Sequence, residues 1–319
     1  MIRQYMKLVV QIPCVNEAET LPSVLKSIPK KIDGIDEIEI LVIDDGCTNE
    51  TVAVAKKHGV KHFVHHSQNM GLARAFHDGI DAALGLGADI VVNTDGDNQY
   101  PQERIGDLVQ PILRGEAEIV IADRQTDTIA HFSWGKKQFQ KFGSWIVNKA
   151  AGTNVPDAAS GFRAYSYEAL MRLSVITRFS YCMETIIQAG NKGIPIASIP
   201  VKTKRVTRPS RLFKSHSQHV IKSAQAITKS FVMYKSHLIF IPSGFLFLII
   251  GLVPFVRYLV LTLSNDPGSH IQSLLIGLVL LFTSIMSFAL AIISDLIKTN
   301  RALNEDNLER TKKMQFPRK

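Results

Sequence analysis

The stretch Ala88-Asp89-Ile90-Val91-Val92-Asn93-Thr94-Asp95-Gly96-Asp97-Asn98-Gln99 runs from an apolar, β-branched segment straight into an acidic turn. Such a short continuous apolar run reads as a strand buried on both faces. The arrangement recurs upstream: Leu8-Val9-Val10-Gln11-Ile12 gives way to Pro13-Cys14-Val15-Asn16-Glu17-Ala18-Glu19, and Ile38-Glu39-Ile40-Leu41-Val42-Ile43 to Asp44-Asp45-Gly46-Cys47-Thr48. Helical patterns near residues 21–28 and from Thr51 separate these strands, and another strand is expected at Glu118-Ile119-Val120-Ile121-Ala122. Apolar strands alternating with helices predict an α/β domain over residues 1–200, its mainly parallel sheet covered on both faces. Ligands of such sheets sit beyond the strand C-termini, so the three polar clusters are expected to share one rim.

The chain has 319 residues, 46% of them hydrophobic, and a formal net charge of +9. Its mean hydropathy is slightly positive. This suits one globular domain plus some membrane-buried length. Cys14, Cys47 and Cys182 are far apart and lack paired spacing, which argues against a disulfide framework or a zinc site and for a reducing compartment. Residues 1–6 contain no long apolar stretch, so a cleaved secretory signal is not expected.

Residues 238–256 and 273–294 contain no charged side chain. Each is long enough to cross a hydrocarbon core of about 30 Å as a helix. The intervening Ser264-Asn265-Asp266-Pro267-Gly268-Ser269-His270 has no Lys or Arg, whereas residues 202–235 and 298–319 are basic. The positive-inside rule then puts the large N-terminal region and a 297–319 tail in the cytoplasm, beneath an inner (plasma) membrane. Residues 201–236 mix cations with Leu212, Phe213, Val220, Ile221, Ile227, Phe231 and Val232. That pattern is expected to form amphipathic juxtamembrane helices, followed by the two-helix membrane region at 237–296. Arg257 is expected to snorkel to an interface.

Asp95 and Asp97 flank a glycine directly after a strand, with Gln99 beyond, and offer oxygens to Mg²⁺ or Mn²⁺ while phosphate oxygens complete the shell. The EF-hand spacing is missing. Asn16 and Thr48 also suit helix caps, and Asp44-Asp45-Gly46 also suits a turn. His62, His65 and His66 read as surface residues on a partly exposed strand.

Six pieces in order, Pro13-Cys14-Val15-Asn16-Glu17, Asp44-Asp45-Gly46, Asn69-Met70-Gly71-Leu72-Ala73, Asp95-Gly96-Asp97-Asn98-Gln99, Ala122-Asp123-Arg124 and Asp157-Ala158-Ala159-Ser160-Gly161-Phe162-Arg163, resemble the family-2 glycosyltransferases of the GT-A fold. Within that family they resemble the branch containing dolichyl-phosphate mannose synthase and the bactoprenol glucosyltransferases. The resemblance implies a Rossmann-like catalytic domain, a nucleotide-sugar donor and a polyisoprenyl phosphate acceptor. It puts Pro13, Val15, Asn16, Glu17, Ile43, Asp45 and Asn69 around the donor, and Asp95, Gly96 and Asp97 at its ribose and diphosphate. Asp95, Asp97 and Gln99 become the metal ligands. Arg124, Lys137, Arg163, Arg205 and Arg211 become the cations for the acceptor phosphate, with Lys136 and Lys141 adding to their field. Asp157 matches the base or orienting carboxylate, and Arg163 is its other expected partner. Cys47 stands where the family often has Ser, and Met70-Gly71-Leu72 where Gly-Lys-Gly is common.

An inverting transfer of a hexose to undecaprenyl phosphate is therefore expected, with UDP-glucose as first donor and GDP-mannose or a modified pentose as the alternative. A processive synthase would need more spans and a Gln-x-x-Arg-Trp motif. A dinucleotide oxidoreductase would need a glycine-rich turn where Pro13-Cys14-Val15-Asn16-Glu17 stands. No nucleic-acid partner is expected, since the cations gather beside the spans. A non-catalytic membrane scaffold is the reading furthest from an enzyme, and self-association of the chain is also open.

Overall fold

The computed structural model describes residues 5–126, 134–175, 181–204, 235–264 and 271–318. The chain divides into two units, one made of Met1–Ile227 with Glu305–Lys319 and the other of Thr228–Asn304.

The first unit is built on a seven-stranded sheet: β1 (Lys7–Cys14), β2 (Glu37–Asp45), β3 (His62–His66), β4 (Ile90–Asn93), β5 (Ile119–Asp123), β6 (Arg163–Ser166) and β7 (Ile196–Pro200), in the order β3-β2-β1-β4-β6-β5-β7. The strands expected at residues 8–12, 38–43, 88–93 and 118–122 are present within two residues. β1, β2, β3 and β4 pair in parallel. Each has its polar cluster at the same end, because the chain climbs back through a helix after every strand. Those helices are α1 (Leu21–Ser27), α2 (Thr51–Lys57), α3 (Leu72–Gly85) and α4 (Ile105–Leu113). Leu8, Val10, Ile12, Val42, Ile90, Val92 and Val120 form the core with Leu21, Val24, Ile105 and Leu108 from the covering helices.

β6 was not foreseen. It runs antiparallel to both β4 and β5, with Arg163 opposite Asn93. Running backwards, it starts at the rim where the parallel strands end, so the segment preceding it, with Asp157, is delivered there. α5 (Trp134–Ala151), α6 (Tyr167–Arg172) and α7 (Tyr181–Asn191) complete the set.

The basic tail does not stand apart. Its last residues pack on the foot of the catalytic sheet, at the end opposite the polar clusters. Tyr167 Oη donates to the Phe316 carbonyl (2.6 Å), Arg318 pairs with Asp89 (3.3 Å), and Lys192 pairs with Glu305 (3.0 Å). Lys312 is buried and donates to the carbonyls of Leu173 (2.9 Å) and Leu170 (3.3 Å), two groups a short helix end leaves open.

The second unit contains α8 (His237–Leu263) and the first part of α9 (Ile271–Gln315), both long and apolar enough to cross a membrane. Their large apolar side chains, Phe245, Ile249, Val253, Leu278, Phe282 and Ile285 among them, are exposed, as lipid-facing residues are. The helices meet through small residues: Ser284 Oγ donates to the Gly244 carbonyl (2.7 Å), and a Cβ on Gly251 would lie 3.1 Å from the Leu281 backbone. Close approach of this kind is how helices associate without a hydrophobic driving force. Most of the juxtamembrane stretch, with Arg205 and Arg211, lies outside the described residues.

Candidate active site

Asp95, Gly96 and Asp97 leave β4 at the sheet rim and press against the end of β1. A Cβ on Gly96 would lie 3.1 Å from both Cys14 Sγ and Glu17 Cγ, a contact so tight that any larger residue would have to push these side chains aside for the acidic turn to sit this close to the first cluster. Thr20 Oγ1 lies within donating distance of the Gly96 carbonyl (2.7 Å) and of the Glu17 carboxylate (2.9 Å), so its one proton ties it to either side of the two clusters. Asp97 accepts from the Gln99 amide nitrogens, backbone (3.1 Å) and side chain (2.6 Å). Asn98 is held at φ 60°, and its side-chain oxygen is buried with no hydrogen-bond partner among the described residues.

Behind Asp95 lies a buried polar network. Gln11 Nε2 donates to Asn93 Oδ1 (3.0 Å), and Asn93 Nδ2 donates to the Gly161 carbonyl (2.9 Å) and to Tyr181 Oη (2.7 Å). The Gly161 amide donates to Tyr100 Oη (3.0 Å). Gln11 and Asn93 are register partners on adjacent strands. Two amides in otherwise apolar strands are the mark this network leaves in the sequence.

Arg124, just past β5, meets Asp157 as a two-pronged pair, Nε to Oδ2 at 2.6 Å and Nη2 to Oδ1 at 2.9 Å. Asp157 is buried and also accepts from the backbone amides of Arg124 and Ala159. Burial pushes its carboxyl up, but Arg124's charge and hydrogen bonds outweigh that and hold it below the ordinary carboxylate range. Asp95 goes the other way: burial first, then the charges of Asp97 and Glu17, outweigh the pull of Arg124 and raise its carboxyl to about 7. The contrast between a charged carboxylate and one poised to carry a proton marks functional sites.

Several expectations need correction. Arg163 does not face an acceptor: its side chain is wholly buried, donating to the carbonyls of Ser160, Cys182 and Ala158 and to Thr185 Oγ1. It braces the segment before β6, and the partner of Asp157 is Arg124. Ile43 is also fully buried, its side chain packed against Gly79 of α3. Asp45 is buried beneath the 69–71 loop, accepting from the amides of Met70 (2.7 Å) and Gly71 (3.0 Å). The loop lies so close to β2 that a Cβ on Gly46, at φ 73°, would come within 2.5 Å of the Gln68 backbone.

His66 is not a surface residue either. Its ring is held between Asp45 (Nδ1 to Oδ1, 2.7 Å) and Asp78 (Nε2 to Oδ2, 3.1 Å), its side chain only 9% exposed. Alternation along β3 turns His65 and His66 to opposite faces of the sheet, and only the His66 face is covered. His65 does stay exposed, paired with Asp44 and stacked on Phe63. Asn16, at φ 59°, accepts from the amides of Thr48 (2.8 Å) and Asn49 (3.2 Å), closing the first cluster on the second. Pro13, Val15 and Glu17 are half-buried at this rim, Asn69 is exposed on its loop, and Lys137 is half-buried on α5. Arg205, Arg211 and the Lys136 side chain lie outside the described residues. Cys47, with Asn16's amide donating to its sulfur, has its thiol raised to about 11, mainly by burial.

The family's sequence model, described as glycosyl transferase family 2, matches residues 9–174, more than half of the chain. The chain belongs to glycosyl transferase family 2. Relatives include the polyprenol monophosphomannose synthase of Mycolicibacterium smegmatis, 26% identical over 211 residues that cover 63% of this chain and 78% of that one. Another is the UDP-N-acetylglucosamine–dolichyl-phosphate N-acetylglucosaminyltransferase of Methanococcus voltae, 28% identical over 213 residues, 60% of this chain and 83% of that one. In fold the chain is similar to glucosyl-3-phosphoglycerate synthase from Mycobacterium tuberculosis, crystallised with Mn²⁺, UDP and glucosyl-3-phosphoglycerate: TM-score 0.53, 23% identity, 70% of this chain and 80% of that one. The protein is thus a family-2 glycosyltransferase with a GT-A-like sheet, as its motifs implied.

Proposed function

We infer that this glycosyltransferase moves a hexose from a nucleotide-sugar to a polyisoprenyl phosphate at the cytoplasmic face of a membrane, with inversion at the anomeric carbon. The observation that carries the reading is the Arg124–Asp157 pair set beside Asp95 and Asp97 on one rim, in a chain that also has two helices long and apolar enough to span a bilayer. Both relatives named above have polyprenyl-type phosphate acceptors in their names. An acceptor phosphate is already ionised at neutral pH, so the site has to orient an oxygen and needs no strong base. Asp157, held charged by Arg124, suits orientation. The acceptor oxygen attacks the anomeric carbon from the face opposite the diphosphate. The bond from that carbon to the diphosphate oxygen breaks, and the nucleoside diphosphate leaves with the electron pair.

Asp95 and Asp97 fit a divalent cation, Mg²⁺ or Mn²⁺. Two crowded carboxylates, one of them raised to about 7, and the unpartnered oxygen of Asn98 form an oxygen-rich corner that a hard cation relieves. Among the described residues no third His, Cys, Asp or Glu joins the pair, so a cation held there would draw its remaining ligands from phosphate oxygens and water, while the Gln99 amide nitrogen braces Asp97. When bound, the cation screens the charge of the departing diphosphate.

UDP-glucose is the first donor, on the two-span resemblance to the bactoprenol glucosyltransferases. GDP-mannose is the second, favoured by the mannose in the name of the M. smegmatis relative. The test is transfer of radiolabel from each donor to undecaprenyl phosphate by detergent-purified protein with Mg²⁺ or Mn²⁺. Label in the lipid fraction with one donor, lost on adding a chelator, is the expected result. Nucleotide binding without transfer from either donor overturns both donor assignments and leaves the fold standing, and no metal-dependent nucleotide binding overturns the enzymatic reading in favour of a scaffold.

A further inference from the structure

Outside α8 and α9, the large apolar side chains exposed among the described residues are Tyr5, Met70, Phe142 and Trp145. Tyr5 spends its hydroxyl on Glu37, and Met70 lies on the loop above Asp45. Phe142 and Trp145 differ because they form a patch. They are 57% and 60% exposed, with ring centroids 6.0 Å apart and planes 19° from parallel, on the outer face of α5.

α5 explains its own asymmetry. Its inner face is spent on the catalytic core: Gly143, Ser144, Val147, Ala150 and Ala151 are buried. Ser144 Oγ accepts from the Ala158 amide (3.2 Å), and Asn148 holds both the amide and the carbonyl of Val155 (2.9 Å each). On the outer face Gln138, Lys141, Phe142, Trp145 and Lys149 are exposed. At 3.6 residues per turn these five positions fall within an arc of about 100°. The helix has four lysines and no acidic residue. A stacked aromatic pair ringed by lysines, with no carboxylate nearby in sequence, matches a lipid–water boundary: the rings take the apolar–polar border while lysine stems extend to phosphate.

We propose that the outer face of α5 docks in the headgroup layer of an anionic bilayer, Phe142 and Trp145 entering the border and Lys141 and Lys149 meeting lipid phosphates. Charge complementarity selects lipid as the occupant: the charged residues of α5 are all lysines, the chain carries +9, and two of its helices are long and apolar enough to cross a membrane. Through Ser144 and Asn148 the same helix holds the loop leading to Asp157. Docking therefore also positions that carboxylate for a lipid-borne phosphate, a consequence that rests on the proposed acceptor, while the docking itself does not.

The experiment uses the full chain in proteoliposomes of phosphatidylglycerol and phosphatidylcholine. Its only tryptophans are Trp134 and Trp145, so Trp134→Phe isolates the signal. Subtracting the spectrum of Trp145→Phe from that of the native chain gives the same signal should Trp134→Phe fail to fold. Loss of Trp145 emission on replacing the phosphatidylcholine by its chain-brominated form while keeping the phosphatidylglycerol, with shielding from acrylamide, is expected; Lys141→Glu with Lys149→Glu should reverse both. Trp145 open to acrylamide and untouched by brominated lipid overturns the proposal. So does shielding that follows protein-to-lipid ratio and not lipid charge, which would assign the patch to a second copy of the chain. Neither readout requires sugar transfer, so failure here is distinguishable from failure of the proposed reaction.

Discussion

Replacing Asp157 by Ala leaves the Arg124 guanidinium facing a site from which water is mostly excluded, since the two side chains are only 4% and 18% exposed. Breaking one partner of a buried pair typically costs about 3–5 kcal/mol, because the surviving charge has no counterpart. The two-pronged geometry and the amides of Arg124 and Ala159 on the carboxylate favour the upper part of that range. For a folded unit of this size about 1 kcal/mol moves the melting midpoint by roughly 2–4 °C, so a fall of roughly 6–20 °C is expected. Arg124→Met should fall by a similar amount, and the double variant with Asp157→Leu by clearly less than the sum, a coupling of about 1–3 kcal/mol. The assay is a thermal scan of detergent-purified protein at fixed scan rate, read on the catalytic unit by near-ultraviolet circular dichroism. The native acid limb is a second check. Asp157 is held below its unfolded value, so its contribution is complete above pH of about 4 and is lost as pH falls through the lower folded value. Asp157→Asn should flatten that limb. Single variants shifting the midpoint by less than about 2 °C, with additive effects, would refute the reasoning and leave Asp157 a purely chemical group.

Asp95, raised to about 7 by burial and by Asp97, must lose its proton to take a cation, so Mn²⁺–UDP binding should tighten from pH 6 to pH 8 and release a proton near pH 6. Calorimetry in two buffers of different ionisation enthalpy counts that proton; none released would contradict the assignment. His66→Ala should loosen Asp45 and the 69–71 loop, raising the KM for donor by about 10-fold with a smaller change in kcat, equivalent to about 1.4 kcal/mol. Steady-state kinetics over donor concentration test it, and an effect confined to kcat would sink it. Lys312→Met should cost about 1–3 kcal/mol by stranding the carbonyls of Leu170 and Leu173, seen as a lower midpoint in the same thermal scan. An unchanged midpoint would show the tail to be unnecessary to the catalytic fold.

The parallel strands, the polar clusters at their ends and the two apolar helices were legible in the sequence, because each depends on neighbouring residues: apolar runs, turns and uninterrupted hydrophobic length. Asp95-Gly96-Asp97 could be read as a cation corner because both carboxylates come from one turn. What the sequence could not decide were pairings between distant segments. Only the antiparallel entry of β6 brings Asp157 to Arg124 and consigns Arg163 to the core. Only the packing of β3 against β2 and α3 puts His66 between Asp45 and Asp78, and only the tail's return to Tyr167 and Asp89 makes residues 305–318 part of the catalytic unit. A side chain's charge state and partners depend on which surfaces meet, and that is fixed by tertiary contact, not by local pattern.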